Sequence, residues 1–421
     1  MKILFVCFDQ FPVEGACTSL LLNLFAENQI QSLGDVHILT LSASPGAVSD
    51  EICDGITVHR FCSVTRKRIK QLLAGSPKNF IASCSEILYR ASQKKLSLPC
   101  CGKVFYDNVL VREALAQLTD LHRKYRFDLV IPVSGLYEAA VAALRFCKQN
   151  CIPLGLYQVD PCSTNEAMRP QSRKAREAFE KELYDFSSFV ITTDIIKREV
   201  KDLLHIQDGD KIYAMEFPNI RDLKAAPREK KETDRIDCVF AGRLYPKARD
   251  PKFTFELFSG ISKENIHLVL VGVDRGALQA FQDIAIPDNL TLLGDMPITQ
   301  ARRELEKADF LVNIGNTVSN QVPSKLFEYF SLGKPIINLA ESSRCPSLKY
   351  TKRHPCCLDL VHEGDAPAEL KRQTEELERF ILDNFGKTIP LKEIRELFYE
   401  CTPEYCSKRM KEIIEERVSA G

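Results

Sequence analysis

The chain has no net charge: 57 lysines and arginines balance 57 aspartates and glutamates over 421 residues. No global polyelectrolyte partner is implied, so nucleic acid is not expected. The chain also lacks any apolar run long enough to span a bilayer. Its opening, MKILFVCFDQFP, enters a strand-like run directly. It shows none of the basic region, long apolar stretch and small-residue cleavage site of a signal peptide. The expectation is a cytoplasmic protein, with peripheral contact at the inner face of the membrane as an open possibility. Sixteen cysteines are present without a single C-x-x-C, and most stand beside apolar residues, as in FVCF and DCVF. Reduced thiols acting as small hydrophobes fit this better than a zinc site or a disulfide framework. No repeat is short enough for a solenoid.

What is present is alternation. The first half opens with a strand over Ile3 to Phe8, a loop with Gly15, and the periodic helix TSLLLNLFAEN. Strands follow at DVHILTL and GITVHRF, then FDLVIPVS, a helix over Tyr137 to Lys148, IPLGLYQVD, a charged helix and FVITTD. The second half starts afresh at IDCVFAGRL and continues through IHLVLVG, NLTLLG, ADFLVNIG, KPIINLA and CCLDLV. Short β-branched runs alternating with helices predict parallel sheets covered on both faces. With 45% hydrophobic residues, a chain of this length divides into two such α/β domains. Periodicity is lost over Pro218 to Asp234, where Pro, Lys and Glu accumulate, and the linker is placed there. The expected domains are 1–220 and 221–400, with a terminal helix at 401–421. From Ser63 to Lys103 nine basic residues face one acid, Glu86, with apolar residues interleaved. Such a segment suits an anionic membrane surface or an anionic substrate, or it is a solvated helical insertion.

Two stretches carry chemistry. In NQVPSKLFEYFSLGKPI, the helix that buries Leu326, Phe327 and Phe330 places Ser324, Lys325 and Glu328 on another face. In open α/β sheets ligands bind outside the carboxyl ends of strands, where helix N-termini attract phosphate. Pro323 suits the first helical turn. Lys325 adds a mobile charge, and Glu328 can accept hydrogen bonds from a diol. A nucleotide sugar offers both groups, a diphosphate and a ribose. For an isolated helix, a solvated Lys325–Glu328 pair would be the simpler account. The second stretch, AGRLYPKARDP, tells against it: a strand ends at Gly242, and Arg243, Lys247 and Arg249 follow on a loop suited to a diphosphate leaving group.

These stretches resemble the GT-B-fold glycosyltransferases, and specifically glycosyltransferase family 4 (glycosyl transferases group 1), nearly end to end. MKILFV with PVEGACTSLLLNLFAEN resembles the opening strand and glycine loop, EFPNI the interdomain motif, and AGRL the G-R-L loop. HLVLVG with NLTLLGDMPITQARRELEKADFLVNIG resembles the base-binding loop with its succeeding helix and strand, and PSKLFEYFSLGKPI the donor-binding helix. The resemblance implies two doubly wound Rossmann-like domains facing across a cleft, with the last helix returning to the N-terminal domain. It implies a retaining hexosyltransferase that moves sugar from a nucleotide diphosphate donor to a saccharide or lipid-linked acceptor; since the sequence holds no credible metal site, neither metal nor cofactor is expected. Surface polysaccharide or glycolipid synthesis would be its setting.

By position, Glu328 matches the acid that holds the ribose hydroxyls and Arg243 the diphosphate-binding arginine. Lys247 and Arg249 share the second cation's place. Gly294 would read the nucleobase through backbone groups, and Gly15 would admit the donor phosphates. Three positions depart from the pattern: Asn320 replaces the first acid of E-x7-E, Gly15-Ala16 the double glycine, and Val159-Asp160 the acceptor-side His-Asp pair. Asp160, as a strand-end carboxylate, is retained as a catalytic candidate. Asn320 keeps open an inactive donor-binding or scaffold protein. An epimerase on the same fold would want more acid–base residues. Asp208-Gly209-Asp210 is expected to be a turn, GVDRG at 272–276 lacks dinucleotide spacing, and His37 and His59 alternate with apolar strand residues as structural side chains would.

Overall fold

A computed structural model describes residues 1–12, 15–42, 50–63, 106–164, 172–206, 210–222, 234–246, 249–281, 284–316, 324–364 and 366–418. The expected basic insertion, apart from Ser63, lies outside the described residues, as do Lys247, Asn320, Pro323, Asp208 and Gly209. The chain divides into two compact units, Met1–Pro218 with Pro403–Gly421, and Asn219–Thr402.

The first unit runs β1 (Lys2–Val6), α1 (Ala16–Phe25), β2 (Asp35–Leu41), β3 (Glu51–Cys53), β4 (Ile56–Phe61), α2 (Asn108–Tyr125) and β5 (Leu129–Pro132). It continues with α3 (Tyr137–Asn150), β6 (Gly155–Tyr157), α4 (Arg173–Phe186), β7 (Phe189–Thr192), α5 (Asp194–Leu204) and β8 (Ile212–Ala214). Five strands pair in the order β3-β4-β2-β1-β5 and three as β6-β7-β8. Single bridges Val130–Leu154 and Val133–Tyr157 join the two sets. Every pairing is parallel except β3 with β4. The sequence reading missed β3, although its Asp54-Gly55 turn has φ of 46° and 78°, the backbone that a two-residue hairpin needs. The first strand ends at Val6, two residues before the expected Phe8: Cys7 N makes the last ladder bond, to Leu39 O at 3.0 Å, and Cys7 and Phe8 remain buried.

Both faces of this sheet are apolar, as strands covered on two sides require. On one face, Leu4, Val6 and Val130 meet the helices α2 and α3. On the other, Ile3, Phe5 and Ile131 meet Leu20, Leu21 and Leu24 of α1. The last helix, which becomes α13 in chain order (Pro403–Val418), joins that second face through Met410, Ile413 and Ile414. The Arg409 and Arg417 guanidiniums lie 5.6 and 5.4 Å from the Tyr213 ring, and the Tyr213 hydroxyl donates to Glu416 at 2.7 Å.

The second unit runs β9 (Ile236–Ala241), α6 (Lys252–Ser259), β10 (Ile266–Val271), α7 (Arg275–Leu278), β11 (Leu290–Leu292), α8 (Ile298–Lys307) and β12 (Phe310–Ile314). It continues with α9 (Ser324–Ser331), β13 (Ile336–Ala340), α10 (Leu348–Thr351), β14 (Cys357–Val361), α11 (Pro367–Asn384) and α12 (Leu391–Leu397). The six strands are parallel in the order β11-β10-β9-β12-β13-β14. Sequence order thus reverses between β9 and β12, which makes their carboxyl ends a topological switch point. Phe253, Phe255, Phe258 and Ile381 cover one face, and Leu326, Phe327, Phe330 and Ile394 the other. Among the described residues no helix is long and apolar enough to cross a membrane.

Candidate active site

The carboxyl ends of β9, β10 and β11 are laced by backbone. Gly242 N donates to Val271 O at 2.9 Å, Gly272 N to Gly294 O at 2.8 Å, and Gly294 N to Val273 O at 3.0 Å. Gly272 (φ +85°) lies so close to the preceding loop that a Cβ would stand 3.0 Å from Gly242 O. Gly294 has φ +65°, and a Cβ there would meet open space. Its backbone conformation, not crowding, therefore calls for glycine. At Gly242 a Cβ would come within 2.9 Å of Phe240 Cζ and 3.3 Å of Arg249 Nη1. That residue is small because the buried Phe240 ring, with the guanidinium next to it, occupies the space.

Arg249 is half-buried. Its Nε donates to Asn316 Oδ1 at 3.0 Å and its Nη1 to Arg243 O at 3.4 Å, both neutral acceptors. Burial lowers its pKa, while Tyr329 and Tyr245 oppose the shift. Lys325 donates from Nζ to Ala241 O at 2.8 Å. One side of it is open to solvent, yet the protein packed around the ammonium lowers its pKa; Glu328 raises it and the nearby Arg249 charge lowers it further. Neither cation has a carboxylate within ion-pair distance among the described residues. Arg243 is exposed and faces Asp295 Oδ2 at 3.6 Å, across from the Gly294 turn.

The simple solvated pair of Lys325 with Glu328 is not what forms. Lys325 turns to the end of β9, and Glu328 Oε1 pairs instead with Arg302 Nε of α8 at 3.4 Å. Ser324 is exposed at the first position of α9. Tyr329, one residue beyond Glu328, is fully buried, and its hydroxyl accepts from Ala241 N at 2.9 Å. So α9 is tied by two side chains to the strand end where the ligand would lie. Gly242, Arg243, Arg249, Gly294, Ser324, Lys325 and Glu328 thus belong to one unit, around one sheet edge. Sequence reasoning missed Arg302, Asn316 and Tyr329. Of these only Tyr329 carried a signal, a hydroxyl on the apolar face of α9, which once buried needs a partner.

Gly15 and Asp160 lie in the first unit, on the loops after β1 and β6, near its own switch point between β1 and β5. The Asp9 carboxylate accepts from Cys17 N at 3.2 Å, and a Cβ on Gly15 would stand 3.8 Å from it. An acid therefore already occupies the first turn of α1, the place a donor phosphate would take in the expectation for Gly15. Burial pushes the Cys17 thiol up, and the charges of Cys7, Asp9 and Asp160 add to this, which places these groups together. The loop carrying Asp160 is held twice. Val159 N donates to Ser134 Oγ at 3.2 Å, and Cys162 N and Ser163 N donate to the buried Glu180 carboxylate at 2.9 and 3.0 Å. Gln158 also donates to Glu180 and accepts from Tyr184. Burial raises the Glu180 pKa against these three donors.

A strand-end cluster of cations beside a carboxylate can hold a diphosphate and a diol together. Known proteins carry the same frame. Residues 235–381 match the family model of glycosyl transferases group 1. No curated protein matches the chain in sequence. The E. coli trehalose-phosphate synthase bound with UDP-2-fluoro glucose superposes with a TM-score of 0.60 at 12% identity, covering 99% of each chain. The lipopolysaccharide outer core galactosyltransferase WaaB gives 0.57 at 11% identity, again over 99% of each. The chain has the GT-B fold. That fold also houses the UDP-GlcNAc 2-epimerase of Methanocaldococcus jannaschii, which gives 0.52 at 10% identity over 99% of this chain and 100% of that one.

Proposed function

We propose that the protein is a glycosyltransferase that takes a sugar from a UDP-sugar and transfers it to a saccharide or lipid-linked acceptor. The observation that carries this reading is the meeting of Arg249 and Lys325 at the end of β9, at the switch point. Two cations share one strand end without a carboxylate ion pair among the described residues. Holding like charges together costs free energy that a bound diphosphate would offset. Glu328, one turn along from Lys325, supplies the acceptors for a ribose. The match to glycosyl transferases group 1 over this unit supports transfer, and the UDP-2-fluoro glucose bound by the E. coli neighbour supports uridine as the nucleoside.

In this reading Arg249, Lys325 and the exposed Arg243 stabilise the diphosphate charge that grows as the sugar departs. Lys247 would add to them, and Asn320 would donate to a sugar hydroxyl. The chemistry is retaining, as the family resemblance implies: a donor phosphate oxygen takes the acceptor proton on the same face, and no side-chain nucleophile is needed. Asp160 is the acceptor-side acid. The charge pattern of Ser63 to Lys103 supports a lipid-linked acceptor at an anionic surface. The cations do the work that a metal would do, so turnover is expected to persist in excess EDTA.

Incubation with UDP-sugars and candidate acceptors, followed by measurement of free UDP, tests the proposal. UDP release that depends on acceptor supports transfer. The structural likeness to an epimerase gives a second reading, in which the UDP-sugar isomerises and no UDP appears. Tight UDP binding with neither product would leave a donor-binding protein, the role that Asn320 kept open.

A further inference from the structure

Glu328 does not wait alone. Its Oε1 faces Arg302 Nε at 3.4 Å, and both side chains are about three-quarters buried, at 27% and 24% exposed. Arg302 stands on the helix that directly follows the Gly294 turn: Gly294, Asp295, Met296 and Pro297 lead straight into α8. No other hydrogen bond is made by the Glu328 carboxylate among the described residues. The contact is long for a hydrogen bond, so Oε2 and part of Oε1 remain able to accept.

We propose that Arg302 is a positioning residue for the donor ribose, holding the Glu328 carboxylate at one rotamer so that its free oxygen is aimed before the ligand arrives. This rests on the reading of Glu328 as the ribose acid. A free glutamate has three side-chain torsions to order on binding, and an ion pair already in place removes part of that cost. The same arginine joins the turn that would meet the base to the acid that would meet the sugar. Movement of α8 would then be felt at Glu328.

The test is calorimetric titration of the full chain with UDP and with 2′,3′-dideoxy-UDP, which lacks the diol. The variants are Glu328→Ala, Arg302→Ala, Arg302→Lys and the double alanine. Arg302→Ala is expected to weaken UDP about three- to tenfold, to leave the dideoxy analogue unchanged, and to add nothing in the Glu328→Ala background. Arg302→Lys should recover part of the loss, which a packing defect would not predict. Equal weakening of both nucleotides, or a loss that persists without Glu328, overturns the proposal. If Glu328→Ala matters but Arg302→Ala does not, Arg302 alone loses its role. If Glu328→Ala leaves UDP binding unchanged, or wild type gives no binding heat, the ribose reading falls and the Arg302 role with it.

Discussion

Tyr329 does at the scale of one residue what the proposed donor site needs. Its hydroxyl accepts from Ala241 N and lies 3.4 Å from Ala241 O, the carbonyl that also holds Lys325. Burial pushes its pKa up, so it stays a neutral phenol that can both donate and accept. Tyr329→Phe strands a buried N–H at the end of β9, and a loss of about 1–3 kcal/mol is expected in denaturant unfolding. No loss would mean that the strand end finds another partner. Gly242→Ala acts on the same spot from the other side, because its methyl must displace Phe240 or Arg249. It should lower stability as well as weaken UDP, since the closest contact is with the buried Phe240 ring and the guanidinium is crowded too. Titration and thermal melts on that variant separate the two effects. The face bearing Lys325 and Glu328 was legible in the sequence, because spacing alone sets which residues share a face. Their partners were not. Ala241 is 84 residues away and Arg302 is 26, and no local pattern encodes such contacts.

Among elements, the strands β2 and β4 are joined by more than backbone. Leu39 pairs with His59 and His37 with Thr57, so the two histidines are diagonal neighbours on one face. Their rings stack at 5.2 Å, His37 Nδ1 meets His59 Nε2 at 2.9 Å, and His59 Nδ1 meets Asp50 Oδ1 at 2.6 Å. Tyr125 and Lys124 of α2 donate to the other Asp50 oxygen at 2.8 and 3.1 Å. Burial lowers His37 to about 4; the His59 and Lys2 charges add to this, and Asp35 and Asp50 oppose it. The unfolded chain therefore takes up a proton near pH 6.5 that the folded chain refuses until about pH 4. Stability from this group is full above pH 6.5 and is lost as pH falls through that window, on the order of 3 kcal/mol in all. Asp50 extends the loss below pH 4: burial alone would raise its pKa, but the hydrogen bonds from His59, Tyr125 and Lys124 bring it to about 2. Unfolding followed from pH 7 to pH 4.5 should show this slope, and His37→Gln should flatten it. An unchanged slope in the variant would remove His37 from the account. Alternation placed both histidines inside the sheet; the partner at Asp50, which lies on neither of their strands, gave no signal.

For the molecule as a whole, the alternation of short strands and helices was enough to give parallel α/β sheets, because each crossover needs a helix and each strand must be covered twice. What the pattern could not give was strand order, and with it the two switch points. In the second unit, strand order gathers Gly242, Arg249, Gly294 and Lys325, drawn from three separate stretches, at one edge. In the first unit, the apolar face of α13 completes a core begun by β1 and α1. Met410→Ala and Ile413→Ala should each cost about 2–5 kcal/mol of that unit's stability. UDP affinity, proposed to reside in the other unit, should not change at temperatures where both variants are folded.

The central claim is that the end of β9 binds the diphosphate of a uridine nucleotide through Arg249 and Lys325. Calorimetric titration of UDP and of uridine into wild type, Arg249→Ala and Lys325→Ala tests it most directly. Each lost charge-assisted contact contributes about 1.5–3 kcal/mol, so UDP should bind each variant roughly ten- to a hundredfold more weakly, with uridine unaffected. UDP binding to both variants as tightly as to wild type would contradict the claim.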